Sequence, residues 1–236
     1  MNETSTESST PDETSKPSSR TRLSVDERRS QLLELGLKLF GSRVYKDISI
    51  DDIATSAGIS KGLLYHYFPS KRAFYLATLS AATHMLKQSI AVTDPNLPPL
   101  DRLKGGLEAY LDFAEEYGDA YTTLIRSVVW SDGEVREIID GARHEIVDRM
   151  YRDLRLEQES EVFRFAIHTW IGHVEFTSLE WLGRKVPARD VVIDMLVSSL
   201  AGAVETASRL DPAAGLPQGV AKLLRNASIT SSPPSA

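Results

Sequence analysis

The stretch SIDDIATSAGISKGLLYHYFPSK, residues 49–71, decides how this chain is read. Ser49 stands where a helix N-cap belongs, and Asp51 and Asp52 follow in the first turn, where the helix dipole favours acids. Ile50, Ile53 and Ala54 give that short helix its apolar side. It runs into Ala57-Gly58, and Ser60 caps a further helix over roughly 61–67. Two short helices joined by a tight turn containing glycine form a helix-turn-helix pattern. In that pattern Ile59, Leu64 and Phe68 turn inward, leaving Ser60, Lys61, Gly62, Leu63, Tyr65 and His66 pointing out. Pro69 ends the helix, and Ser70 caps the next one, whose first turn contains Lys71 and Arg72. Cations are unfavourable at a helix N-terminus, so these two need another reason, and a neighbouring phosphate would supply it.

Upstream, from about Val25, Leu32, Leu33, Gly36, Leu37, Leu39 and Phe40 recur at spacings of three and four, the stripe of an amphipathic helix. Gly36 costs such a helix about 1 kcal/mol relative to alanine, which marks it as a point of close packing. Residues 1–19 hold ten Ser or Thr, two prolines and no aromatic side chain, a composition that reads as disordered. Charge is divided unevenly along the chain. The total is −6, yet residues 20–75 carry +4, against −3 for residues 1–19 and −7 for the remainder. A basic module on an acidic body points to a polyanionic partner at one end. Arg20 and Arg22 fit either an arm entering a minor groove or the basic edge of a flexible tail.

Residues 28–75, with their leucine-rich first helix and the ungapped stretch quoted above, resemble the N-terminal DNA-binding domain of the TetR family of bacterial transcriptional regulators. The resemblance implies roles position by position. Ser49 would hold the start of its helix against a phosphate. Lys61 and Gly62 would enter the major groove near base edges, with Ser60, Leu63 and His66 on the same outward face, and Tyr65 would contact backbone or base. Lys71 would grip a phosphate. One departure stands out: the family carries His two positions after the tyrosine, whereas this chain has Tyr67 there and His66 one residue earlier. Tyr67 still has a hydroxyl to donate to a phosphate.

After residue 70 the periodicity predicts helices over about 71–91, 100–116, 118–130, 133–154, 158–184 and 187–209. The expected fold is all-α: a three-helix DNA-binding domain followed by a helical bundle for ligand binding and dimerisation. The expected division is a disordered tail over 1–24, the helix-turn-helix domain over 25–70, the bundle over 71–210 and a flexible tail over 211–236. The last two helices carry Phe165, Trp170, Leu179 and Trp181, and Val192, Met195, Leu196, Leu200 and Val204. These predict a homodimer interface, since a palindromic DNA site calls for a two-fold protein; the alternative is that they only close the monomer core.

The middle of the bundle is rich in aromatic and aliphatic side chains. Tyr110, Phe113, Tyr117, Tyr121, Leu124 and Val128, with Phe163 and Phe176 across the bundle, are candidates to line a pocket for a small hydrophobic effector; ordinary core is the competing reading. Arg126 would pair with an effector carboxylate or phosphate, or with an internal acid. The segment AYTTLIRSVVWSDGEVREII, residues 120–139, resembles actinobacterial members of the family that regulate lipid metabolism and sense long-chain acyl-CoA, making a fatty acyl-CoA or related lipid the lead effector. The acidic body offers no obvious seat for the CoA phosphates.

Zero cysteines remove disulfides, thiolate catalysis and Cys-containing zinc sites. His168 and His173 lie five apart on different helix faces, which disfavours a metal, and no cofactor is expected. No acid, base and nucleophile converge, so no enzyme is expected either. No stretch approaches the ~18 uninterrupted apolar residues of a membrane span, and the N-terminus lacks the apolar run of a secretion signal, so the expected location is cytoplasmic. The expected function is a repressor that binds a palindromic operator of double-stranded DNA as a dimer under effector control. The rival is a helical protein-interaction module without sequence-specific DNA binding.

Overall fold

A computed structural model describes residues 24–91, 96–118, 122 and 133–222. The helix expected over 118–130, with Tyr121, Leu124, Arg126 and Val128, lies outside the described residues apart from its first position and residue 122. Eight α-helices are described: α1 (Val25–Ser42), α2 (Ile50–Ala57), α3 (Lys61–Tyr67), α4 (Lys71–Ala91), α5 (Pro99–Glu116), α6 (Gly133–Leu154), α7 (Glu161–Arg184) and α8 (Arg189–Leu210). No strand occurs among the described residues.

The head is assembled by local chemistry. Ser24 and Glu27 cap α1 reciprocally, and Ser49 and Asp52 do the same for α2: Ser49 Oγ accepts from the Asp52 amide at 3.0 Å, and Asp52 Oδ2 accepts from the Ser49 amide at 2.8 Å. Gly58, at φ +63°, ends α2 in a left-handed turn that other residues adopt only with strain. Ser60 Oγ accepts from the Leu63 amide at 3.2 Å to start α3, and Ser70 Oγ accepts from the Ala73 amide at 3.0 Å to start α4. These caps orient three short segments around one core of Leu32, Leu33, Phe40, Ile48, Ile53, Ala54, Leu64, Phe68 and Phe74. Phe68 and Phe74 meet edge-on with ring centroids 4.9 Å apart.

Gly36 is where α1 and α4 approach most tightly. A Cβ there would clash with Thr78 Oγ1 and lie 2.9 Å from Phe74 Cζ. Beyond this crossing α4 continues into the body, packing on α5 and α6 as well as α1. The α4–α6 contact holds a separate apolar cluster of Leu79, Val135 and Ile139. The body core is one contiguous cluster, with Leu111, Phe163, Ile167, Leu196 and Val204 among its most buried members. α7 starts at Glu161 rather than near 158, because Ser160 is its cap and the chain before it is tied into a turn. There the Tyr151 hydroxyl donates to the Gln158 carbonyl at 3.0 Å and accepts from the Ser160 amide at 2.7 Å. By length and composition α8 is apolar enough to cross a membrane, but Val192, Leu196, Val197, Leu200 and Val204 pack into the body core.

Two outcomes test this packing. Gly36→Ala gains about 1 kcal/mol of helix propensity but incurs an overpacking cost of about 1–3 kcal/mol, so its thermal midpoint should fall. The hydrogen bonds from Ser49 hold the Asp52 carboxyl below its usual range. With the folded-state value depressed, the stabilisation is complete above the ordinary carboxylate range and disappears as pH falls through the lowered value. Asp52→Asn should flatten that part of the acid-unfolding profile.

Candidate nucleic-acid interface and effector cavity

The outward face of α3 is built by exclusion. Leu64 and Phe68 are consumed by the head core and Tyr67 packs against its edge, which leaves residues 60–63, 65 and 66 exposed. Leu63 is 40% and Tyr65 44% exposed, and a Cβ at Gly62 would meet nothing within 4 Å. Ser60, Lys61 and His66 are exposed beside them, while Tyr67 is half-buried and meets His66 edge-on at 5.6 Å. Residues 60–66 thus present hydroxyl, ammonium, imidazole and phenol groups around a bare backbone position, with Ser49 at the nearby start of α2.

The cations of this face have partners that local sequence does not reveal. Lys61 Nζ reaches back to Asp51 Oδ2 on α2 at 3.0 Å, and that carboxylate raises the ammonium's pKa. Lys71 Nζ sits 4.1 Å from the centroid of the Tyr45 ring, a cation–π contact. Arg72 is paired with Glu134 at the start of α6, which provides a protein carboxylate as the reason for a cation in the first turn of α4. Of the two cations at the start of α4, Lys71 therefore keeps the phosphate expectation. Periodicity also missed Arg43, which lies 3.7 Å from Asp52 beside the start of α2, and Arg29, stacked 5.4 Å from the Phe68 ring.

A half-open cavity of about 180 Å³ lies between the helices of the body. Its walls are Leu100, Leu103, Leu107 and Tyr110 of α5, Ile146, Met150 and Leu154 of α6, Ile167, Trp170, Ile171 and Val174 of α7, and Leu200 and Val204 of α8. Arg102, Arg149 and Asp153 are its charged lining groups. The Trp170 indole N–H donates to the Leu196 carbonyl at 2.9 Å, which locks the ring against the wall.

Of the described aromatic candidates for a pocket, Tyr110 alone lines this cavity. Phe113 and Tyr117 stack on each other at 4.7 Å away from it, and burial raises the Tyr117 phenol. Phe163 is fully enclosed in the core without lining the cavity. Phe176 is a correction: it is 64% exposed, because α7 turns residues 170, 171, 174 and 178 inward and leaves 176 on the opposite side. The wall is chiefly aliphatic, and in the sequence such residues look like ordinary core.

The same helical phase corrects the expected dimer surface. Trp170, Trp181, Val192, Leu196, Leu200 and Val204 close the body core, the competing reading for these residues, whereas Phe165, Phe176, Val191, Met195 and Leu210 are the large apolar side chains left outside on α7 and α8. Beside the α6–α7 packing, Arg143 makes a two-pronged ion pair with the buried Glu175 at 2.6 and 2.9 Å and a third contact to Asp140 at 3.0 Å.

Comparison with known proteins agrees with this architecture. Residues 32–78 match the family of bacterial regulatory proteins, tetR family, and residues 99–203 match the tetracyclin repressor-like C-terminal domain. The chain is 33% identical over 144 residues to the HTH-type transcriptional activator FasR of Mycolicibacterium smegmatis, an alignment covering 58% of this chain and 64% of that one. It is 34% identical over 94 residues to the HTH-type transcriptional repressor KstR2 of Mycobacterium tuberculosis, covering 39% and 47%. The chain thus spans less than two thirds of the length of either relative. A tetR-family transcriptional regulator from Streptomyces coelicolor superposes with a TM-score of 0.72 at 29% identity, covering 89% of this chain and 92% of that one. With a head and a body that each match the corresponding half of these regulators, the chain belongs to the TetR family of bacterial transcriptional regulators.

Proposed function

We propose that the protein is a cytoplasmic, effector-controlled DNA-binding repressor that docks on a two-fold operator as a homodimer. The observation that carries this reading is the outward face of α3. It is a short capped helix whose apolar residues at 64 and 68 are spent in the core and whose outward residues Lys61, Gly62, Leu63, Tyr65 and His66 are exposed. A helix so presented fits a major groove, and paired copies would occupy successive grooves about 34–36 Å apart. Ser49 and Lys71 would take the flanking phosphates, Tyr67 adding its hydroxyl, and Ser60, Lys61, Gly62, Leu63, Tyr65 and His66 would meet the groove.

The second copy would be joined through the outer side of α7 and α8, where Phe165 and Phe176 of α7 are 71% and 64% exposed and Met195 of α8 is exposed as well. Large apolar groups gathered on one side of an otherwise polar surface favour a partner of the same kind. An effector in the body cavity would act through α4, which packs on both cores, and only to the extent that it prefers one of two arrangements of the heads. Both regulatory signs occur among the relatives, KstR2 being named a repressor and FasR an activator. Repression is the reading adopted.

Selection of duplexes from a random pool, followed by anisotropy of the winner at several salt concentrations, tests the reading. A palindromic winner with steep salt dependence is expected; no enrichment and no binding at low salt would move α3 to a protein-facing role. Lys71→Ala should weaken all duplexes alike and reduce the salt slope by about one, whereas Lys61→Ala should change preference at one base pair by ~1–3 kcal/mol. Because Asp51 holds Lys61 in the free protein and is itself exposed, Asp51→Asn should strengthen DNA binding. Phe176→Asp should shift the protein to monomer in analytical ultracentrifugation and lower operator affinity. A reporter behind the operator should lose expression when the protein is supplied; a gain would make it an activator.

A further inference from the structure

The body cavity has aliphatic walls drawn from α5, α6, α7 and α8, with Ile90 of α4 added, and a charged set confined to the start of α5 and the end of α6. Three observations at that set go together. Arg102 Nε is buried and has no hydrogen-bond partner among the described residues. The ion pair of Arg102 with Asp153 is loose, with Nη1 3.7 Å from Oδ1, too long for a hydrogen bond. Arg149 lines the same cavity and makes no ion pair among the described residues, so the set carries a net charge of +1. A buried guanidinium nitrogen without an acceptor is a costly arrangement, and an arriving carboxylate would relieve it.

Size narrows the ligand further. A cavity of about 150 Å³ lined by apolar side chains holds a benzene ring. At about 180 Å³ the present one seats an apolar body of roughly six to eight carbons.

We propose that this cavity binds a compact amphiphilic monoanion, with an apolar body of about six to eight carbons against Leu103, Ile146, Ile171 and Val204 and a carboxylate seated on Arg102 and Arg149 in place of Asp153. The proposal rests on reading the cavity as the effector site and names the chemistry of its occupant. It replaces the long-chain acyl-CoA as lead. Arg102 supplies charge and donors, the aliphatic wall supplies length selection, and Asp153 is the internal competitor that the ligand must displace.

Titration calorimetry of the full-length protein with octanoate, 1-octanol and hexadecanoate tests it. Octanoate should bind roughly tenfold or more tightly than 1-octanol, which has the same body without the charge. Arg102→Met should abolish that preference while leaving 1-octanol unchanged. Arg102→Lys should restore part of it, and Asp153→Asn should tighten octanoate; circular dichroism and thermal unfolding verify that each variant folds. Equal binding of acid and alcohol would overturn the carboxylate seat. Tighter binding of hexadecanoate would overturn the size limit, and no heat from any probe would overturn the cavity as a binding site. Operator affinity measured in parallel separates the two claims: octanoate that binds with the predicted Arg102 dependence but leaves DNA binding unchanged supports the seat and removes the regulatory reading.

Discussion

The crossing of α1 and α4 at Gly36 is the constraint on which the rest of the arrangement depends. With no Cβ in the way, Phe74 and Thr78 lie directly against the backbone of α1, and Phe74 becomes a fully buried member of the head core. Farther along the same helix Leu79 packs with Val135 and Ile139, and Leu86 and Ile90 pack against the body core. A rigid rod of 21 residues therefore has one end locked in the head and the other packed on α5 and α6. The Arg72–Glu134 pair adds a direct tie between the first turn of that rod and the start of α6. A change in the body that moves α6 has a mechanical route to the head, because interfaces packed this closely shift as units rather than deform.

What was legible in the sequence was what is decided within a few residues. Ser49, Ser60 and Ser70 each cap a helix by bonding an amide three positions on, and Gly58 ends α2, so the helix-turn-helix could be read from spacing alone. Gly36 was legible for the opposite reason: a residue that weakens its own helix signals that something else requires it. The partners of Lys61 and Arg72 were not legible, being 10 and 62 residues away in sequence. Nothing in a local pattern distinguishes a lysine held by Asp51 from one left open to a phosphate.

The body was less legible, because a helix rich in apolar residues on several sides does not announce which side is outermost. α7 carries both Trp170 and Phe176, and only the packing of α8 and α6 against it decides that the first is interior and the second is not. The cavity eluded the sequence for a related reason. Its walls are ordinary core residues, and it exists as a gap between them; its one unusual feature, the orphaned nitrogen of Arg102, is a property of three-dimensional neighbours.

The central claim is that α4 couples the body cavity to the spacing of two α3 heads. The chain has no cysteine, so Thr55→Cys, on the exposed side of α2, places one spin label on each head. Double electron–electron resonance on the operator complex should give a single narrow distance between protomers, consistent with heads about 34–36 Å apart, and addition of the effector should shift and broaden it. Absence of any distance between protomers, or a distribution that the effector leaves unchanged, would contradict the account.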